Sequence, residues 1–154
     1  MKTLPWIVVA MAVILAGARA QSHPSTSGRN ALIGAWHLVR IDAPGPDGKA
    51  APAAQPEGML IYTGDGHVSV QLMYPKSPNA PDNEYVLGGY EASFGSYEVN
   101  EAKHLVTHHV KGSITRNLLV GKDRLRVYQL TGDGHLIIRS ADSLEHWSVT
   151  WEHY

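Results

Sequence analysis

Leu32-Ile33-Gly34-Ala35-Trp36-His37-Leu38-Val39 decides how the rest of this chain is read. The stretch puts a Gly-x-Trp at the start of the first β-rich run. An indole at that place suits the plugged end of a small antiparallel barrel, where a large apolar ring fills the space between strand starts. A barrel with a floor has a cup above it. The expected function therefore concerns what fits in the cup.

Upstream of this run, residues 1–20 read as a secretion signal. Lys2 supplies the positive start, Trp6 to Ala16 the apolar core, and Ala18-Arg19-Ala20 the small-x-small cleavage site. The apolar run falls short of the ~20 residues that a comfortable membrane span needs. Removal of the signal leaves 134 residues, enough for one domain, with eleven basic against fourteen acidic side chains. There is no basic stripe, so nucleic acid is not an expected partner. The chain has no Cys, which excludes lipid attachment at a cleavage cysteine and leaves no disulfide to staple the fold. The expected location is the periplasm or the medium. The expected form is a monomer or small homo-oligomer with no membrane span once the signal is gone.

Gln21 to Asn30 is polar and rich in Ser, Gly and Pro, a flexible start to the mature chain. Residues 31–154 form the expected domain. Leu32 to Ile41 reads as the first strand. Asp42 to Glu57 holds four prolines and reads as a loop. Gly58 to Thr63 and His67 to Tyr74 make a hairpin around Gly64-Asp65-Gly66, and Pro75 to Asp82 is a second Pro-rich loop. Asn83 to Ser93 reads as the one short helix, capped by Asp82 or Asn83 and weakened by Gly88-Gly89. Strands are expected again at 94–99, 104–111, near 118–120, at 125–130 and 135–139, and at 146–154. Thr-Gly-Asp-Gly-His occurs at 63–67 and again at 131–135, each copy between alternating apolar runs. It is read as repeated turn chemistry, with His67 and His135 sharing a site as the alternative. The sum is an all-β, antiparallel up-and-down barrel of 8–10 strands with one short helix; a β-sandwich is the runner-up.

The Gly-x-Trp run resembles the opening of calycin barrels, which include lipocalins and fatty-acid-binding proteins. Three further stretches narrow the resemblance: residues 58–63 running through 68–73, Phe94-Gly95-Ser96-Tyr97-Glu98-Val99, and Thr107-His108-His109-Val110-Lys111-Gly112-Ser113. With the closing Thr150-Trp151-Glu152, and in that order, they resemble the bacterial and fungal lipocalin-like domain family over nearly all of 31–154. The resemblance implies a calycin barrel. It implies no single chemistry, since related barrels carry lipids, bind haem, or isomerise and cyclise hydrophobic substrates.

Several residues are candidates for the cup. His108 and His109 are strand neighbours and must point to opposite faces. His104 and His108 share a face about 13 Å apart, too far to hold one ion, so no metal site is expected. Val106, His108 and Val110 form the more apolar row, so His108 is placed inward. Gln71 belongs to the Ser69-Gln71-Met73 row and lines the lumen only if that row faces in. Tyr90, Phe94 and Tyr97 are placed near the mouth, where the expected helix returns to the sheet. Arg116 and Asn117 precede a short strand. Arg126 and Tyr128 share a face, and fatty-acid-binding proteins hold a carboxylate with such an Arg-x-Tyr pair, though on their last strand. Arg139 or Arg126 is the expected cation across Trp36. No nucleophile, phosphate-loop or metal motif stands out, and no cofactor is expected.

Three functions compete. The first is a secreted protein that holds a small hydrophobic or amphipathic ligand in its lumen without turnover. The second is a metal-free isomerase or cyclase acting by shape, with acid–base help from His108, Gln71 or a tyrosine. The third is a barrel that binds haem or nitrogen oxide through one axial His.

Overall fold

The computed structural model describes residues 28–44, 50–52, 56–74 and 82–154. The expected signal segment, residues 21–27 of the expected flexible start and residues 75–81 of the second Pro-rich loop lie outside the described residues.

Nine strands follow one another in the chain: β1 (Gly34–Pro44), β2 (Ala50–Pro52), β3 (Glu57–Tyr62), β4 (His67–Met73), β5 (Tyr90–Asn100), β6 (Leu105–Ser113), β7 (Asp123–Leu130), β8 (His135–Ser140) and β9 (Ser148–His153). All neighbours pair antiparallel, and β1 also pairs with β9, which closes eight strands into a barrel. The ninth, β2, hangs on the end of β1 through Asp42 to Pro44. Closure leaves the eight wall strands without a free edge, which removes the usual site of edge-to-edge aggregation.

Side chains alternate between lumen and solvent, as the period of a strand requires. Leu60 and Tyr62 on β3, Val68 and Leu72 on β4, and Leu136 and Ile138 on β8 are all buried inside. Trp36, Leu32 and Tyr97 fill the closed end. The Trp36 indole is 2% exposed, and its Nε1–H donates to the Leu32 carbonyl at 2.9 Å. That carbonyl is available because Arg29–Leu32 forms a single helical turn (α1) rather than the start of β1. The first strand therefore begins two residues later than its apolar run suggests. Neither Arg139 nor Arg126 crosses Trp36. His153 lies against the indole instead, with ring centroids 4.1 Å apart, and Arg29 sits over the Tyr97 ring at 5.5 Å.

Both Thr-Gly-Asp-Gly-His copies form the same hairpin. In each, the Thr hydroxyl bonds the Asp carboxylate and accepts from the His backbone N–H at 3.0 Å, while the imidazole pairs with that Asp at 3.1 Å. Each His is thus absorbed by its own turn. Gly95 marks a bulge between β5 and β6; a Cβ there would collide with the His109 carbonyl oxygen.

The expected helix over Asn83 to Ser93 is absent. Asn83 does cap, accepting from the N–H groups of Tyr85 and Val86 at 2.8 Å each. The turn then stops, because Gly88 (φ 61°) and Gly89 (φ 86°) bend the chain into β5, whose first residues are 90–93. Leu87 and Tyr90 exchange backbone hydrogen bonds across that bend. The short strand expected near 118–120 is a 3-10 turn at Asn117–Leu119, and the loop expected from Asp42 is strand as far as Pro44.

Candidate ligand-binding site

Above the floor the barrel encloses a cavity of about 210 Å³. Every wall strand contributes to it, most with aliphatic side chains such as Ile41, Leu60, Val70, Val110, Ile138 and Val149. The 82–89 segment crosses the open end and turns Asn83, Tyr85 and Val86 toward the cavity.

Polar groups are set among these apolar side chains. His108, from β6, faces in, while His109 faces out to Asp123 at 2.6 Å. The Tyr62 hydroxyl lies 2.6 Å from His108 Nε2 and has no other hydrogen-bond partner among the described residues. A buried phenol must place its proton, so Tyr62 donates and Nε2 accepts. The imidazole proton is then on Nδ1. Burial, helped by the Arg126 charge, pushes the His108 pKa down to about 3, so the ring is neutral at physiological pH. Burial also holds the Tyr62 phenol protonated well above its ordinary range.

β7 brings Arg124 and Arg126 to the same wall. Arg126 is 8% exposed. Its guanidinium stacks over Trp147 at 4.8 Å and Tyr85 at 5.4 Å, and its Nη1 donates to the Leu125 carbonyl at 3.3 Å. Arg124 meets Glu84 at 3.2 Å on the rim and lies over Tyr85 at 5.0 Å. The inward row of β5 supplies Glu91. Burial raises the pKa of its carboxyl to about 7, against the lowering effect of Arg126 and Arg124. From β9, Trp151 packs into the wall at 2% exposure, with its Nε1–H buried and unpartnered among the described residues.

Of the eight residues expected to touch a ligand, only His108 lines this cavity. Gln71 is exposed on the outer face, because the uniformly apolar Val68-Val70-Leu72 row claims the interior. Tyr90 (43% exposed) and Phe94 (52%) are also outside, and the Phe94 ring covers Gly112 on the neighbouring strand. Tyr97 faces in but belongs to the floor, where its hydroxyl donates to the Thr63 carbonyl at 2.9 Å. Tyr128 also faces in, packed on His104 with centroids 5.9 Å apart, below the cavity. Asn117 is exposed in its 3-10 turn. Arg116 stays out of the cavity and holds its cover, donating from Nε and Nη2 to the Val86 carbonyl at 3.1 and 2.7 Å.

Sequence reasoning missed Glu91, Tyr85, Trp147 and Arg124 as site residues. Glu91 carried a signal only for a reader who took 90–100 as a strand, since it then shares the Ser93-Gly95-Tyr97 row.

The sequence matches the family model for the lipocalin-like domain over residues 33–153. The chain belongs to the lipocalin-like domain family. No curated protein matches it. The closed antiparallel barrel is the fold of this lipocalin-like domain, and such a barrel suits small-molecule binding in general. None of its helices among the described residues is long and apolar enough to cross a membrane.

Proposed function

We propose that this lipocalin-like domain is a secreted or periplasmic binding protein that holds a small, largely apolar or amphipathic molecule in its lumen. The observation that carries the proposal is the cavity itself: about 210 Å³, walled by aliphatic and aromatic side chains with polar groups set among them. That combination binds by apolar burial and orients by the polar groups. Native mass spectrometry and displacement of an environment-sensitive dye test it. One saturable site is expected, lost in a Val149→Trp variant that fills the lumen. Absence of saturable binding in the unaltered protein refutes the proposal. Secretion follows from residues 1–20, and a processed form beginning at Gln21 outside the cytoplasm is the expected result of cell fractionation.

The cavity is small beside the ~300–1,000 Å³ of typical drug-sized sites, and His108 Nε2 is engaged by Tyr62. Both features count against haem on an axial His. One observation favours a second reading, proton transfer on the bound molecule: Glu91, with a carboxyl poised near neutral pH on an apolar wall. His108, neutral and hydrogen-bonded, then serves as a donor rather than as the acid. If turnover exists, Glu91→Gln abolishes it while dye displacement persists; turnover unchanged in that variant eliminates this reading.

A further inference from the structure

We infer that the molecule held in this lumen is a compact monocarboxylic acid, its carboxylate taken by the Arg126 guanidinium on the cavity wall. The inference rests on the lumen-binding proposal above and names the chemical class of the ligand.

Arg126 is a buried cation, and no ion pair among the described residues includes it. A buried charge without a counter-charge is costly to a fold. Stacking on Trp147 and Tyr85 recovers part of that cost through the ring faces. It leaves much of the guanidinium edge unpaired among the described residues: one donor goes to the Leu125 carbonyl and another approaches the Tyr85 hydroxyl. That edge is the two-pronged fork that matches a carboxylate.

The surroundings are donor-rich as well. Arg124 Nε and Trp151 Nε1 are also without partners among the described residues, sealed within the wall behind the lumen surface. His108 carries its free proton on Nδ1, because Nε2 accepts from Tyr62. Glu91 is the single carboxyl on the cavity wall, and burial keeps it protonated for about half of the molecules near neutrality. The ligand must therefore supply acceptors.

Charge sets how many. Arg124 is offset by Glu84 on the rim. Arg126 shares its charge with a half-ionised Glu91 and with the Glu145 carboxylate, whose pKa it helps to lower, so the lumen has room for one further negative charge at most. A monoanionic carboxylate fits that balance; a phosphate monoester overfills it. A volume of about 210 Å³ then calls for a short chain or a single ring.

The test is a head-group series on one skeleton: octanoate, 1-octanol, octylamine and octyl phosphate, measured by calorimetry at neutral pH on the full mature chain. Octanoate is expected to bind at least about tenfold more tightly than the other three, the scale of one charge-assisted contact. Arg126→Met is expected to cut octanoate affinity at least about tenfold and so remove that preference. If Arg126→Met melts early, the preference in the unaltered protein still decides, and Arg126→Lys, which keeps the charge but not the fork, is expected to retain part of it. Equal binding of octanoate and 1-octanol overturns the carboxylate and leaves lumen binding standing. Tighter binding of octyl phosphate than octanoate overturns the assignment to a monoanion. No binding by any of the four overturns this inference and the lumen proposal together.

Discussion

The two ends of this barrel treat polar groups in opposite ways. At the floor each one has a partner: Trp36 Nε1 donates to Leu32, Tyr97 donates to Thr63, and Arg29 reaches the Gly64 carbonyl at 3.0 Å while covering the Tyr97 ring. Toward the mouth, Arg126 has no ion-pair partner among the described residues, and Arg124 Nε and Trp151 Nε1 have no hydrogen bond. A folded chain satisfies most of its buried polar groups for stability alone, and His109 Nε2 on the outer face is an exception among the described residues. Where it sets a cation in a cavity wall with most of its donors unpaired, the missing acceptors belong to something that comes and goes. The floor is built to be finished and the mouth to be completed.

The strongest way to break this contrast is to remove one tryptophan from each end. Trp36→Ala opens a void in a fully packed floor and is expected to cost about 3–5 kcal/mol, read as a large fall in the thermal midpoint. Trp147→Ala, half-buried at the mouth, is expected to cost only about 1–2 kcal/mol. It should weaken binding of a carboxylate probe instead, because Arg126 loses its shelf. Equal destabilisation by the two changes would show that the mouth carries the fold as much as the floor does.

Acidity sharpens the contrast. His108 has its pKa lowered to about 3, so between that value and the ordinary imidazole range the unfolded chain binds the extra proton. Its contribution to stability therefore rises with pH across roughly pH 3 to 6.5, by up to about 1.4 kcal/mol per unit. Glu91 has its pKa raised to about 7, so between roughly pH 4.5 and 7 the folded chain binds the extra proton. Its contribution falls with pH at the same maximal slope and totals roughly 3 kcal/mol at most. The two nearly cancel from about pH 4.5 to 6.5. Chemical denaturation of Glu91→Gln across this window should uncover a rising stability curve that the unaltered protein hides. A flat curve in the variant would mean that His108 is solvated within the folded barrel.

Much of the floor and little of the mouth was legible in the sequence. Gly34-Ala35-Trp36 marks the plug, and two Asp-Gly turns mark two hairpins, because both depend on local chemistry that a short window contains. The inward setting of His108 was legible from the apolar row it shares with Val106 and Val110. Gln71 was not decidable that way, since Ser69-Gln71-Met73 is half apolar and only the closed barrel shows which row it buries. Asn83 misled because an Asx turn and a helix cap begin with the same side-chain bond; the two glycines five residues on decide between them. Arg126 and Tyr128 were correctly set on one face. Two residues along a strand is still about 6.6 Å, enough to put one on the cavity and the other on the floor.

Tyr62 stands between the two ends, its ring T-stacked on Tyr97 at 4.7 Å and its hydroxyl on His108. Tyr62→Phe keeps the ring in the floor and strips His108 Nε2 of its donor. A stability loss of about 1–3 kcal/mol is expected from the acceptor left buried. Nitrogen-15 NMR of the imidazole is expected to report a protonated Nδ1 in the unaltered protein and a mixture of tautomers in the variant. A single unchanged tautomer would mean that something other than Tyr62 sets the proton facing the cavity.

The smallest expected effect concerns the repeated hairpins, which both lie at the floor and should behave as pure structure. Thr63→Val and Thr131→Val each remove the hydroxyl that accepts from the following His backbone N–H and bonds the turn's Asp. Each is expected to lower stability by about 1 kcal/mol, the size of one local cap. The two turns share one geometry, so the losses should match. Because Asp65 and Asp133 are held below the ordinary carboxylate range, first by these hydroxyls and next by His67 and His135, each variant should also lose stability less steeply as the pH drops through the acid range. Neither change should alter affinity for a lumen probe, since no residue of either turn lines the cavity. A binding defect in one of them alone would assign that turn to the site and erase the division between a finished floor and an open mouth.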